Sequence, residues 1–263
     1  MKKNILIIFA ILIFLFVIIA TNPSFKAFRN KFVHSEKISK TKKSDTPKID
    51  KHNKKTEFTI IGVGDIMLGS NYPFEYLLPE NDANILENTQ NILKNADITV
   101  GNLEGTLFDT GGTPKSCNNP NVCYAFRMPS RYGKYLKQVG FDYLSIANNH
   151  SNDFGEIGIK ETIKNLDNLG IKYSGIKDIA ESTILEKNGK KFGFISFSPN
   201  SATVKLNDYN YAKKLISELK SKVDIVIVMF HGGAEGANAE HITKRHEIFH
   251  GEDRGNVYEF AHF

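Results

Sequence analysis

Five residues of this chain combine side-chain types and positions that could carry metal-assisted chemistry: Asp65, Glu104, Asn149, His150 and His231. Two carboxylates, an amide oxygen and an imidazole together suit a hard or borderline divalent ion, for which Mn, Fe, Zn and Mg are the candidates. No thiolate stands among them, which disfavours a structural zinc site. Each has an ordinary alternative when taken alone. Asp65 could cap a turn, Glu104 could be a solvated loop acid, Asn149 could hold a left-handed turn, and His231 could be a satisfied loop histidine. What sets them apart is placement, because the groups that carry them follow apolar runs that read as strands.

Those runs are residues 58–64 before Asp65, 97–100 before Gly101-Asn102-Leu103-Glu104-Gly105, 141–147 before Asn148-Asn149-His150, and 223–230 before His231-Gly232-Gly233. Between them the apolar spacing predicts helices at 83–96, 130–139, 156–169 and 209–220, the third stopped by Gly170. A short strand is expected at 171–174, and a hairpin at 183–197 turning at Asn188-Gly189. Strands alternating with helices predict an α/β domain with a largely buried sheet. In such a sheet the carboxyl ends of the strands open on one edge, where ligands gather.

Composition sets the outer limits. The chain has 263 residues, 41% apolar and 24% charged, enough for a proper core. Its net charge of +5 is concentrated before residue 58, since residues 58–263 hold 21 Lys and Arg against 25 Asp and Glu. The folded part is therefore slightly acidic, and no nucleic-acid partner is expected.

Behind Lys2 and Lys3, residues 5–20 form an unbroken apolar run without charge, Gly or Pro, near the lower limit for spanning a bilayer. Residues 1–20 read as a signal anchor or signal peptide, and the lack of a small residue two positions before Ala20 favours the uncleaved anchor. Lys26, Arg29, Lys31 and Lys37 follow the run, a bias that taken literally would hold the domain in the cytoplasm. A very short basic N-tail is, however, the ordinary start of an export signal. The expectation is a single-pass protein of the cell membrane with its domain on the extracytoplasmic side. Residues 21–57 are Lys-rich and polar and read as a disordered linker. Its lysines could lie along anionic lipid or a polyanionic envelope polymer. Cys117 and Cys123, the only cysteines, stand in a turn-rich loop and read in an exported chain as a local disulfide.

Gly64-Asp65-Ile66-Met67-Leu68-Gly69, Asn102-Leu103-Glu104-Gly105, Ser145-Ile146-Ala147-Asn148-Asn149-His150 with Asp153 and Gly155, and Phe230-His231-Gly232-Gly233-Ala234-Glu235 resemble the successive motifs of the CapA, or poly-γ-glutamate capsule synthesis, family. The resemblance covers residues 58–263 and implies a fold similar to calcineurin-like metallophosphoesterases, a layered α/β/β/α sandwich around a metal centre. It implies metal-ligand positions at Asp65, Glu104, Asn149 and His231, and places His150 where that fold has a histidine that protonates a leaving group or steadies the transition state. The residues alone suggest the same roles, a metal as Lewis acid and water activator with His150 as general acid.

Two departures accompany the resemblance. The phosphoesterase pattern has a histidine two residues after the first aspartate, where this chain has Met67, a poor ligand for a hard ion. That pattern also ends in a Gly-His-x-His-like motif that these residues do not supply; His241, His246 and His250 read as surface histidines. The domain is accordingly expected to be C-terminally incomplete, holding one loosely bound ion, with little hydrolytic turnover and an exposed sheet edge.

Two functional classes follow. One is a membrane-anchored CapA-like protein of capsule or poly-γ-glutamate biosynthesis with a metal-dependent, phosphoesterase-like site. The other is a non-catalytic component of a capsule synthesis and export complex that binds an anionic polymer through a metal. Both expect an anionic envelope polymer such as poly-γ-glutamate, the membrane and other capsule-synthesis subunits as partners.

Overall fold

The computed structural model describes residues 57–117 and 123–263. The apolar run at 5–20 and the linker at 21–57, Glu57 excepted, lie outside the described residues. Among the described residues no helix is long and apolar enough to cross a membrane.

The described part of the chain opens with β1 (Ile60–Ile66), passes through the short helix α1 (Gln90–Leu93) and enters β2 (Ile98–Leu103), whose six residues are all buried. Two-residue strands β3 (Thr106–Leu107) and β4 (Arg127–Met128) pair with each other in parallel. Helix α2 (Gly133–Gln138), β5 (Tyr143–Ser145), α3 (Gly155–Leu169) and β6 (Lys172–Ser174) complete the first half. A four-stranded sheet in the order β1-β2-β5-β6 results, every neighbouring pair parallel. Both faces of a parallel sheet must be covered, which is why every residue of β2 is buried, its polar Thr99 and Asn102 included, both of them hydrogen-bonded.

The second half supplies the other sheet. Strands β7 (Ser182–Lys187) and β8 (Lys190–Phe197) form the expected hairpin, with Asn188 at φ 51° and Gly189 at φ 73° in its two-residue turn. Helix α4 (Tyr209–Lys220) is capped by the side chain of Asp208, which accepts from the Tyr211 amide at 3.0 Å. It leads to β9 (Ile225–Phe230), parallel to β8 and at the edge of the three-stranded sheet β7-β8-β9, where Ile225, Val228 and Phe230 are exposed. A small hairpin of β10 (Glu247–Phe249) and β11 (Glu252–Gly255) and a helix α5 (Val257–His262) follow.

Three apolar clusters bind these elements. Leu103, Leu144, Leu136, Leu166 and Ile159 join the first sheet to α2 and α3. Ile98, Val100 and Tyr143 of the first sheet meet Phe192 and Phe194 of the second. Phe197, Ala212, Leu219 and Phe260 join the second sheet to α4 and α5. Helices, sheet, sheet and helices are thus stacked in that order, a mixed α/β fold built on a parallel sheet. Tyr143 is polar in the middle layer, and its hydroxyl is satisfied by those of Ser174 and Ser196. Burial drives that phenol's pKa up to about 12.

Helix 156–169 forms as Gly155–Leu169 and ends on Gly170 at φ 62°, the left-handed stop its sequence announces. The helix expected at 83–96 does not form. Only a 3-10 turn at Glu87–Thr89 and the single turn of α1 appear there. The reason is local: the Asn84 side chain accepts from the Leu86 amide at 3.1 Å, and the Thr89 hydroxyl donates to the Leu86 carbonyl at 2.7 Å. Short polar side chains here take the backbone groups that a helix would use.

Candidate metal centre

The ends of β1, β2, β5 and β9 meet at one edge. In β1 the pairing with β2 shifts register between Gly62 and Asp65, and beyond the shift Asp65 lies opposite Asn102. The Asn102 amide donates to Asp65 Oδ1 at 2.7 Å and lies 3.5 Å from His231 Nδ1. The same Asp65 oxygen is 3.5 Å from His231 Nδ1, so the end of β9 in one sheet touches the end of β1 in the other. Asn148 latches the loop after β5 to β2, donating to Asn102 Oδ1 at 3.1 Å and to the Leu103 carbonyl at 2.9 Å.

A second group of side chains lies beside the first. His150 Nε2 is 3.8 Å from Glu104, and its Nδ1 is 2.8 Å from Asp153. Asp153 has no exposed side-chain surface, accepts from the Phe126 amide at 2.6 Å and forms an ion pair with Lys115 Nζ at 2.7 Å. The Phe126 ring packs on the imidazole with centroids 4.2 Å apart. The loop that carries Lys115 is closed two residues later by the Cys117–Cys123 disulfide, Cα atoms 5.5 Å apart.

The charges at this edge are coupled. Hydrogen bonds from His231 and Asn102 hold the Asp65 carboxyl down at about 2, against the opposing effect of burial. Burial, reinforced by the charge on Asp65, pushes Glu104 up to about 7. Two carboxylates placed so that one resists ionisation are the arrangement that a cation relieves. Asn149 adds a buried amide oxygen, Oδ1, that has no hydrogen-bond partner. An orphaned acceptor of this kind, on the residue before His150, is of the donor type that suits a hard or borderline divalent ion. Among the described residues, no three His, Cys, Asp or Glu side chains are gathered closely enough to form a metal cluster by themselves. The fit therefore depends on Asn149 as well. Met67 does not join the group. It is 41% exposed, and its sulfur accepts from the Gly69 amide at 3.2 Å. His241, His246 and His250 are exposed, and His246 pairs with Asp253.

The structure thus brings Asp65 to His231 and Glu104 to His150. It adds residues to which sequence reasoning gave no role. Asn102, Asp153 and Glu235 stood inside quoted motifs, so proximity in sequence could have flagged them. Lys115 comes from a distant loop and Arg254 from β11 of the C-terminal hairpin. Arg254 is 2% exposed, and its Nη2 donates to His231 Nε2 at 3.2 Å and to Glu235. A lone Arg before a Gly in a charged stretch has no periodicity that reveals this.

Comparison with known proteins supplies a family. Residues 59–249 match the family described as bacterial capsule synthesis protein PGA_cap. The chain is similar to the PGA biosynthesis protein CapA of Bacillus subtilis (strain 168), 28% identical over 212 residues, which is 74% of this chain and 54% of that protein. It is 26% identical over 211 residues to the capsule biosynthesis protein CapA of Bacillus anthracis, covering 72% and 49%. The chain spans about half, or less, of the length of the curated relatives it matches. Among solved structures, a novel phosphatase of Mycoplasma pneumoniae aligns at a TM-score of 0.40 and 20% identity, over 66% of this chain and 55% of that one. With its four strand-end motifs inside the matched span, the chain belongs to the bacterial capsule synthesis protein PGA_cap family.

Proposed function

We propose that this chain acts in capsule or poly-γ-glutamate biosynthesis through a divalent-metal site at the strand-end edge, working on an anionic envelope polymer. The observation that carries the reading is the junction of Asp65, Asn102 and His231 across the two sheets, with Glu104 within reach of the charge on Asp65 and the orphaned Asn149 Oδ1 on the loop after β5. Asp65, Glu104, Asn149 and His231 would hold the ion, which supplies Lewis acidity and a lowered pKa for bound water. The resemblance of its motifs to a metallophosphoesterase-like family supports phosphoester-like hydrolysis as the reaction class. His150 acts as the general acid. Asp153 is positioned to accept from Nδ1, which leaves Nε2 facing Glu104 and the edge. The apolar run at 5–20 anchors the chain in the cell membrane with the domain on the extracytoplasmic side, beside other capsule-synthesis subunits.

Complementation tests this reading. A host strain without the chain is expected to lose cell-associated anionic polymer, and wild type, but not Asp65→Ala with His231→Ala, restores it. Equal restoration by that double variant would remove the metal site from the function. His150→Ala separates the two classes of mechanism, because loss of restoration marks catalysis, whereas full restoration marks a site that only binds polymer.

A further inference from the structure

Arg254 is unusual for a residue of a small surface hairpin. The Gly233 amide donates to the Arg254 carbonyl at 2.8 Å, and a Cβ added at Gly232 would stand 2.9 Å from the same oxygen. Backbone against backbone, the end of β11 is fixed on the loop that carries His231. From there the guanidinium reaches the candidate centre, with Nη2 on His231 Nε2 and on one oxygen of Glu235. The neighbouring Nε–H is buried and has no acceptor. Buried donors are nearly always bonded, so an unpaired one marks a missing partner. Nε–H and Nη2–H form the lateral fork with which arginine grips two oxygens of one carboxylate or phosphate. Here the fork has only half of its complement, and the residue that supplies that half, Glu235, has a side chain 47% exposed and free to turn outward.

We propose that Arg254 is the anion-recognition residue of this site, taking a carboxylate or phosphate group of the ligand on its Nε–Nη2 fork while Glu235 is displaced. This rests on the reading above that the strand-end edge is where an anionic polymer docks. It adds the chemical class of the group recognised and the residue that recognises it. Glu235 acts as an internal carboxylate that keeps the guanidinium paired until an oxyanion replaces it. A ligand that offers two oxygens satisfies the Nε–H that Glu235 leaves unpaired.

The test uses the full-length chain in detergent, freed of metal by passage over a chelating resin. It is titrated by calorimetry with glutarate and, separately, with inorganic phosphate. Wild type is expected to bind, Glu235→Gln to bind about tenfold more tightly because the competitor is neutral, and Arg254→Lys at least about tenfold more weakly because the fork is lost. The NMR resonance of the Arg254 Nε–H should move on saturation in wild type. Should Arg254→Lys fail to fold, Glu235→Gln and that resonance decide the matter alone. Tighter glutarate points to a carboxylate polymer and tighter phosphate to a phosphoester, and either supports the assignment. Absence of binding, equal affinity in wild type and Glu235→Gln, or binding with the resonance unmoved overturns it. If metal uptake at Asp65 and His231 fails while anion affinity still follows Arg254 and Glu235, the metal reading falls and this inference stands.

Discussion

The carboxylate of Asp153, wholly buried, lies 2.8 Å from Nδ1 of His150. The same Nδ1 is 3.3 Å from Lys115 Nζ, and the other ring nitrogen is turned towards Glu104. Asp153 is in turn held by Lys115 and by the Phe126 amide. A catalytic or binding role for His150 therefore depends on three groups from three separate segments.

Asp153→Ala is expected to destabilise the fold by roughly 3 kcal/mol, since it strands a buried imidazole, an amide and a lysine that is 27% exposed. Urea denaturation measures this. A change within about 0.5 kcal/mol, the range of ordinary surface substitutions, would show that the pairing is incidental.

The opposite shifts of Asp65 and Glu104 make stability depend on pH in two windows. Glu104 is raised in the folded state, so its favourable contribution is present below about 4.5, the ordinary value, and is lost as pH rises through about 7. Asp65 is lowered, so its contribution is present above about 3.8 and is lost as pH falls towards about 2. Metal-free protein should lose stability between pH 4.5 and 7, and Glu104→Gln should flatten that slope while leaving the acid limb. An unchanged slope in Glu104→Gln would assign it to another group.

Cys117 and Cys123 close a loop with a sequence separation of 6, for which chain entropy gives about 2 kcal/mol of stabilisation. The double variant Cys117→Ser with Cys123→Ser should lose about that amount in urea denaturation. It should also loosen the Lys115 contact with Asp153, read as faster amide exchange at Lys115, whose N–H is bonded to the Asp153 carbonyl at 2.7 Å. Unaltered exchange would mean that the loop holds Lys115 without the bridge.

Gly175 follows β6 at φ 124°, and a Cβ there would lie 2.5 Å from the Ala147 Cβ and 2.9 Å from the Ala147 amide nitrogen. Gly175→Ala is expected to cost about 2 kcal/mol or more and to displace the adjoining Asn148-Asn149-His150 loop. Thermal unfolding and the NMR shifts of that loop report both effects. A wild-type melting curve would show that the backbone adapts.

Features set by local rules could be read from the sequence. The Asn188-Gly189 turn, the helix ending at Gly170 and the strand ends that bear Asp65, Glu104, Asn149 and His231 all follow from spacing and turn chemistry. Features set by competition or by distance could not. Asn84 and Thr89 dissolve an apolar pattern that otherwise reads as a helix at 83–96, because side-chain hydrogen bonds outweigh a weak amphipathic signal. Lys115, in a loop, and Arg254, in the short strand β11, enter the centre only through tertiary contacts that no sequence periodicity announces. The division of four of the five candidates into an Asp65–His231 pair and a Glu104–His150 pair depends on how two sheets meet, which no single strand encodes.

The central claim is that the strand-end edge holds a divalent ion. Metal-free full-length chain titrated with Mn and with Zn by calorimetry, with elemental analysis of the dialysed product, tests it most directly. The account predicts about one ion per chain in wild type and affinity reduced at least about tenfold in each of Asp65→Ala, Asn149→Ala and His231→Ala, with each variant still folded by circular dichroism. Equal uptake by wild type and all three variants, or none by any of them, would contradict it.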